Sequence, residues 1–234
     1  MHARIAVMAS GHGSNLRALI DYLDALRDER PGEIVLVVSD RADAGALAVA
    51  RGAGIAAESI AGGHHDAGRI EALLAAHEVD LVVLAGYLRL LPPAVVRARH
   101  GRVVNVHPAL LPAFGGQGMY GMHVHRAVLA AGVRVSGVTV HFVDERFDCG
   151  PIIAQWPVPV FDDDTPEALA ERVLRVEHHL LPRVVSALAR GDVRLGDDGR
   201  ARGVLRTGAA EASFALLQLP DEPLARTLDA AIAR

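Results

Sequence analysis

An α/β fold with a Rossmann-like, mostly parallel sheet and helices on both faces is expected from three features of this 234-residue chain. Apolar runs of strand length alternate with helical segments through the first half, the pattern of a doubly wound parallel sheet. A glycine turn joins the first strand to the first helix. In the second half two long β-rich runs follow one another, which predicts antiparallel strands in the C-terminal half.

The elements follow in order. Ala3–Ala9 reads as a buried strand, succeeded by Gly11-His12-Gly13 and a helix opening near Ser14. Ile34–Ser39 is a second strand, and Asp43–Arg51 a helix ended by Gly52. Ala56–Ile60 is a weaker third strand, and Ile70–His77 places apolar residues at helical spacing. Asp80–Ala85 and Arg102–Val106 are apolar strands, with a short helix after Pro92-Pro93 between them. Met122–Ala131 predicts a helix. Val135–Val143 and Ile152–Val160 form the antiparallel pair, linked by a loop that holds Asp148, Gly150 and Pro151. Thr165-Pro166-Glu167 opens a long helix, with threonine as N-cap and proline in the first helical position. That helix runs to about Ala189, with Pro182 expected to kink or end it. Val193–Leu205 reads as a hairpin turning at Asp197-Asp198-Gly199. No repeat or linker marks a boundary, so residues 1–206 read as one domain and 207–234 as an Ala- and Leu-rich tail of unassigned role.

Composition narrows the function classes. Hydrophobic residues make up 51% and charged residues 22% of the chain, which suits a globular protein rather than a disordered one. Every one of the 24 basic residues is arginine, but they are scattered, and 28 acidic residues leave a net charge of −4. That balance offers no footprint for nucleic acid. Cys149 stands alone, so no intrachain disulfide forms, and a reducing compartment fits. No apolar run is long enough to cross a bilayer, and the start lacks the core of a signal peptide, so the cytoplasm is the expected location.

Two stretches carry chemistry. Gly11-His12-Gly13-Ser14-Asn15-Leu16 joins a strand to a helix, where unpaired backbone N–H groups and the helix dipole favour an anion. Glycines let the backbone approach a phosphate, and Ser14 and Asn15 add side-chain donors. A capped turn with no ligand fits this loop equally well. Leu16 replaces the third glycine of a dinucleotide fingerprint, which disfavours NAD although Asp40 ends the second strand. No Walker lysine follows. The second stretch is Asn105-Val106-His107-Pro108 at the end of an apolar strand. Residues i and i+2 of a strand share a face, so an amide and an imidazole can converge on one point. An amide to hold an oxyanion beside an imidazole to move a proton suits acyl transfer. Asp148, if close, would raise the imidazole pKa, though alone it reads as a turn residue. His123 and His125 are spaced for a metal but lack a supporting ligand pattern. His64-His65 and His178-His179 read as solvated or edge positions. No nucleophile elbow is present, so direct transfer is favoured over a covalent enzyme intermediate.

Together, GHGSNL at 11–16, LAGYLRLLP at 84–92, NVHPALLP at 105–112, GVTVHFVDERFDCGP at 137–151 and VEHHLLP at 176–182 resemble the phosphoribosylglycinamide formyltransferase family. The resemblance covers nearly the whole chain in order. It implies the formyltransferase fold, with 1–206 as the catalytic domain, and transfer of a formyl group from 10-formyltetrahydrofolate to the amine of glycinamide ribonucleotide. It implies no metal. By position, His107 matches the proton donor, Asn105 the residue binding the formyl oxygen, and Asp148 the carboxylate that raises the histidine's pKa. Gly13, Ser14 and Asn15 match the phosphate site. Glu177 matches a glutamate on the ribose hydroxyls, and Leu88, Arg89, Leu90 and Leu91 a stretch that holds the pterin largely through backbone. Asn105 also counts among the folate contacts.

Three departures accompany the resemblance. Ala113–Val124 is about five residues longer than the common form and rich in glycine. Cys149 stands where glycine or alanine is usual, and Gly63 where some members have a folate-contacting arginine. The rivals are a formyltetrahydrofolate hydrolase, a methionyl-tRNA formyltransferase and a silent nucleotide-binding module. The first would carry an additional N-terminal domain, and the second a further C-terminal domain with a basic surface.

Overall fold

The computed structural model describes residues 2–203, together with the backbone of Leu205–Thr207 and Ala210–Ala212. The remaining tail, 207–234 apart from those strand residues, lies outside what is described.

Seven strands form one sheet in the order β3-β2-β1-β4-β5-β6-β7. These are β1 Ala3–Met8, β2 Gly32–Ser39, β3 Ala56–Ser59, β4 Leu81–Leu84, β5 Val103–His107, β6 Val135–Phe142 and β7 Ile152–Pro159. Pairing is parallel from β3 through β5, and β6 and β7 join antiparallel. The expected α/β class and the antiparallel completion are both observed.

Alternation along the strands divides the core in two. Ile5 and Val7 face one side of the sheet, under α1 (Ser14–Ala25), α2 (Gly45–Gly52), α5 (Met122–Ala130) and α6 (Pro166–Arg190). Ala6 and Met8 face the other, under α3 (Ala67–Ala76) and α4 (Pro93–Ala98). Both faces of the central strands are therefore dry, which is why they read as unbroken apolar runs. The helix start expected at Asp43 falls two residues later, at Gly45.

Helix α6 corrects one of the two expectations at Pro182, that the helix ends there. It neither stops nor breaks there but continues to Arg190, where Gly191 caps it at φ +78°. An interior proline costs about 3 kcal/mol. Leu180, Leu181, Val184 and Val185 are all fully buried around it, and each such side chain contributes about 1.5–3 kcal/mol. Core burial therefore outweighs the lost hydrogen bond. At its start Thr165 accepts a hydrogen bond from the Ala168 N–H, as expected of an N-cap. The expected hairpin is present as β8 (Val193–Leu195) paired with β9 (Ala201–Gly203). The last described backbone forms β10 (Leu205–Thr207) and β11 (Ala210–Ala212), also antiparallel.

Strands β1 and β4 are neighbours, and the chain leaves them in opposite directions across the sheet. That switch point opens a crevice beyond the carboxyl ends of the strands, the usual ligand position in such sheets. The loops after β1, β4 and β5 all emerge there.

Candidate active site

A cavity of about 590 Å³ fills this crevice. At one end lie Gly11, His12, Ser14 and Asn15 at the start of α1, with Glu177 from α6; Asn105, His107 and Asp148 lie at the other.

The first end is shaped by backbone geometry. Gly13 is the residue before α1, at φ +83°, and does not itself line the cavity. A Cβ there would lie 2.8 Å from the Cα of Ala46 on α2. Glycine thus supplies both the left-handed turn and the close approach to α2. No side chain caps α1, so its first N–H groups stay available to an anion. Leu16, where a dinucleotide fold needs glycine, is fully buried in the core. Asp40 is occupied as well: Ser10 donates to it at 2.6 Å and Arg89 at 3.0 Å. Asn15 donates to the Glu177 carboxylate at 2.6 Å. Burial pushes the Glu177 pKa up to about 7, against the pull of the Asn15 hydrogen bond.

At the second end three elements meet. The antiparallel register sets Asn105 opposite His141 and His107 opposite Thr139. Asn105 Nδ2 lies 3.1 Å from His141 Nε2 and 3.4 Å from Asp148 Oδ1. His141 Nδ1 donates to the Phe142 carbonyl at 2.8 Å, and its Nε2 faces both the Asn105 amide and Asp148 Oδ1, the latter at 3.7 Å. His107 Nδ1 lies 3.6 Å from Asp148 Oδ2, and its Nε2 donates to the Phe114 carbonyl at 2.8 Å. Both ring nitrogens of His107 thus face acceptors, an arrangement that suits the doubly protonated ring. Asp148 also accepts from the Gly116 N–H at 2.9 Å. The residues expected to converge, Asn105, His107 and Asp148, are brought together.

The titration of His107 departs from the expectation. Burial holds its pKa below the ordinary histidine value; Asp148 and the Phe114 carbonyl push upward but do not outweigh it, and His141 adds to the fall. The expected effect of Asp148 is present in sign and smaller than the desolvation. Burial pushes the Asp148 carboxyl up, but His141, His107 and the Gly116 N–H together hold it below the usual carboxylate value. Asp148 and Phe114 both adopt φ +54°, a left-handed conformation that non-glycine residues rarely take. Both residues lie against His107.

The loop after β5 is tied down from behind. Thr139 donates to the Ala109 carbonyl at 2.6 Å and accepts from the Leu111 N–H at 3.0 Å. The glycine-rich stretch then folds over the cavity, which Gly116 through Met122 line. Of the four residues matched to a pterin site, Leu88 lines the cavity, 43% exposed, and its N–H donates to Ser10 Oγ at 2.9 Å. Arg89 turns to Asp40, and Leu91 is buried in the core; neither they nor Leu90 lines the cavity.

Sequence reading missed four contributors: His141, His125, the Phe114 carbonyl and the Gly116 N–H. Cross-strand register would have found His141; the loop contacts left no local signal. His125 is 4% exposed and lines the cavity, whereas His123 is exposed and meets Tyr120 edge to face. Two residues apart on a helix, they do not share a face. Among the described residues no group of three His, Cys, Asp or Glu could hold a metal. His178 is half-buried rather than solvated, and burial lowers its pKa. Cys149 is exposed. No helix among the described residues is long and apolar enough to cross a membrane.

Comparison with known proteins gives one family. Residues 3–185 match the formyl transferase model. A phosphoribosylglycinamide formyltransferase of Mycobacterium tuberculosis is 44% identical over 192 residues, covering 80% of this chain and 85% of the relative. The chloroplastic phosphoribosylglycinamide formyltransferase of Arabidopsis thaliana is 42% identical over 203 residues, covering 84% of this chain and 68% of the relative. The crystal structure of phosphoribosylglycinamide formyltransferase from Anaplasma phagocytophilum superposes with a TM-score of 0.80 at 37% identity, covering 90% of this chain and 96% of that one. All three carry the transferase name, which lends nothing to a hydrolase or a silent module. The chain belongs to the formyl transferase family.

Proposed function

We propose that this protein transfers the formyl group of 10-formyltetrahydrofolate to the amine of glycinamide ribonucleotide, a step of purine synthesis, with residues 1–206 as the catalytic unit. The observation that carries the reading is the shape of the cavity. One continuous space links an anion-ready helix start and a buried carboxyl to a carboxamide and an imidazole held by one aspartate.

The N–H groups at the start of α1, with Ser14 and Asn15, receive the nucleotide phosphate. Glu177 accepts from the ribose hydroxyls. Leu88 borders the cavity on the side assigned to the folate.

At the reaction centre the amine nitrogen bonds to the formyl carbon as the bond from that carbon to the folate nitrogen breaks. One proton passes from the amine to solvent and one is delivered to the departing nitrogen by His107, which then regains its proton from solvent. Asn105 has two amide hydrogens: His141 orients the group through one, and the other, held only by the 3.4 Å contact to Asp148, is offered to the formyl oxygen. Protonated His107 donates to the same oxygen and then delivers its proton to the departing nitrogen, and Asp148 favours its charged form. For this, His107 exchanges its Phe114 contact for substrate. The chain acts on small molecules alone in this reading. A net charge of −4 argues against nucleic-acid binding, and a single cysteine suits the cytoplasm.

Loss of 10-formyltetrahydrofolate, followed spectroscopically with and without glycinamide ribonucleotide, tests the assignment. Consumption that requires the nucleotide is expected. Consumption without it would make the protein a hydrolase, and none under either condition a silent module.

A further inference from the structure

We propose that His125 is a specificity-determining residue that accepts a hydrogen bond from the acceptor's primary amine and so aims its lone pair at the formyl carbon. The inference rests on the assignment of glycinamide ribonucleotide as the acceptor.

His125 lies in the first turn of α5, directly after the glycine-rich stretch, and lines the same cavity as Asn105 and His107. It is 4% exposed, yet its Nδ1 has no hydrogen-bond partner among the described residues. The two neighbouring rings are fully engaged. His107 is held by Phe114 and Asp148, and His141 by Phe142 and Asn105. A buried polar atom left unpaired is destabilising. Packing does not require an imidazole here, because Val124 and Val128 supply the contact of this helix with the core. The atom is accounted for if a ligand group meets the ring.

The chemistry of that group follows from charge. Burial, reinforced by the proximity of His107, lowers the His125 pKa to about 4, so the ring is neutral near pH 7. A neutral imidazole offers one donor and one acceptor. Asn105 and protonated His107 are both committed to donation toward the formyl oxygen. The amine must keep its lone pair toward carbon, so its hydrogens need an acceptor elsewhere. Of the carboxylates lining the cavity, Asp148 is held by His107, Asn105 and Gly116, and Glu177 by Asn15; the buried Asn15 Oδ1 also has no partner among the described residues, but it lies at the α1 end, away from Asn105 and His107. His125 is the remaining imidazole beside the reaction centre. It accepts a hydrogen bond and takes up no proton.

The test compares two ligands on two proteins by calorimetry: glycinamide ribonucleotide, and propionamide ribonucleotide, in which a methyl group replaces the amine. The wild type is expected to bind the amine about tenfold more tightly. His125→Phe, which keeps an aromatic ring and removes both nitrogens, is expected to bind the two alike, with turnover down at least about tenfold and KM for the folate unchanged. Retention of the wild-type preference by a folded His125→Phe would overturn the assignment, as would equal loss of affinity for both ligands. Should that variant not fold, ¹⁵N imidazole resonances of the wild type decide. A His125 nitrogen shift with the amine ligand and not with the methyl analogue is expected, and the same response to both would refute the contact. A wild type that binds neither nucleotide would instead sink the acceptor assignment.

Discussion

The two ends of the cavity are built by different means. The end at α1 is local: a left-handed glycine, an uncapped helix start and two polar side chains within five residues provide most of it. The reaction end is assembled from afar, with β5, β6, the glycine-rich stretch and the loop before β7 all contributing groups. A local site is stiff because each part is fixed by its neighbours in sequence. An assembled site can be tuned, because each contact sets the charge of the next. His107, Asp148 and His141 show this coupling, whereas at the α1 end the link among the described residues is the single hydrogen bond from Asn15 to Glu177.

The difference is sharpest if the reaction end is cut without disturbing the other. Asn105→Ala and His107→Ala are each expected to lower turnover by about a hundredfold to a thousandfold, the cost of one donor to a developing oxyanion. Binding of the acceptor nucleotide, measured by calorimetry, should hold within about threefold of the wild-type value. Near-normal turnover in either variant would remove that residue from the chemistry. A matching collapse of nucleotide binding would mean that the two ends are not separable.

Next in size comes Asp148→Asn. Burial already lowers the His107 pKa, and Asp148 opposes it. Without the carboxylate the opposition is gone and the pKa falls further. If protonated His107 is the working form, activity declines as pH rises through that pKa, so the alkaline limb of kcat/KM moves to lower pH. At neutral pH the loss should be about a hundredfold. A limb that stays in place while the rate drops would leave Asp148 as a purely structural residue.

The same contrast explains what could be read from the chain. The α1 loop was legible because glycine, serine and asparagine act within one turn. Asn105 and His107 were legible because the period of a strand places i and i+2 together. Asp148 became a site residue only through family resemblance, since nothing near it in sequence specifies what it faces. His141 waited on a register between strands about thirty residues apart, and the Phe114 carbonyl and Gly116 N–H carry no side-chain signature at all. His125 gave no signal beyond its two-residue spacing from His123, and the helix that carries them sends the two rings to different sides. Helix α6 runs on through Pro182 for a different reason: the local preference for an end is overruled by the burial of its neighbours.

At the α1 end, Gly13→Ala tests the stiffness attributed to it. The new Cβ meets the Ala46 backbone at 2.8 Å in a left-handed conformation, and α2 has to shift. The expected cost is about 1–3 kcal/mol of stability, measurable by denaturant titration, with weaker nucleotide binding in proportion. An unchanged midpoint would show that the turn relaxes freely.

Glu177→Gln should give the smallest effect and the clearest sign. Burial raises the Glu177 pKa to about 7, above its ordinary value of 4.5. Between those values the folded protein holds a proton that the unfolded chain has released. The resulting stability is present below the lower value and is lost as pH rises through the higher one. Ribose hydroxyls donate hydrogen bonds and so favour the ionised carboxylate. Nucleotide binding therefore expels the proton, and wild-type affinity should rise about tenfold between pH 6 and pH 8 from this group. Glutamine preserves the shape and can still accept from Asn15, but it cannot titrate. The phosphate of the nucleotide titrates equally in both experiments, so the difference between the two affinity profiles isolates residue 177. Parallel profiles would mean that the carboxyl is a buried structural group, and the ribose would then have to be held by something else.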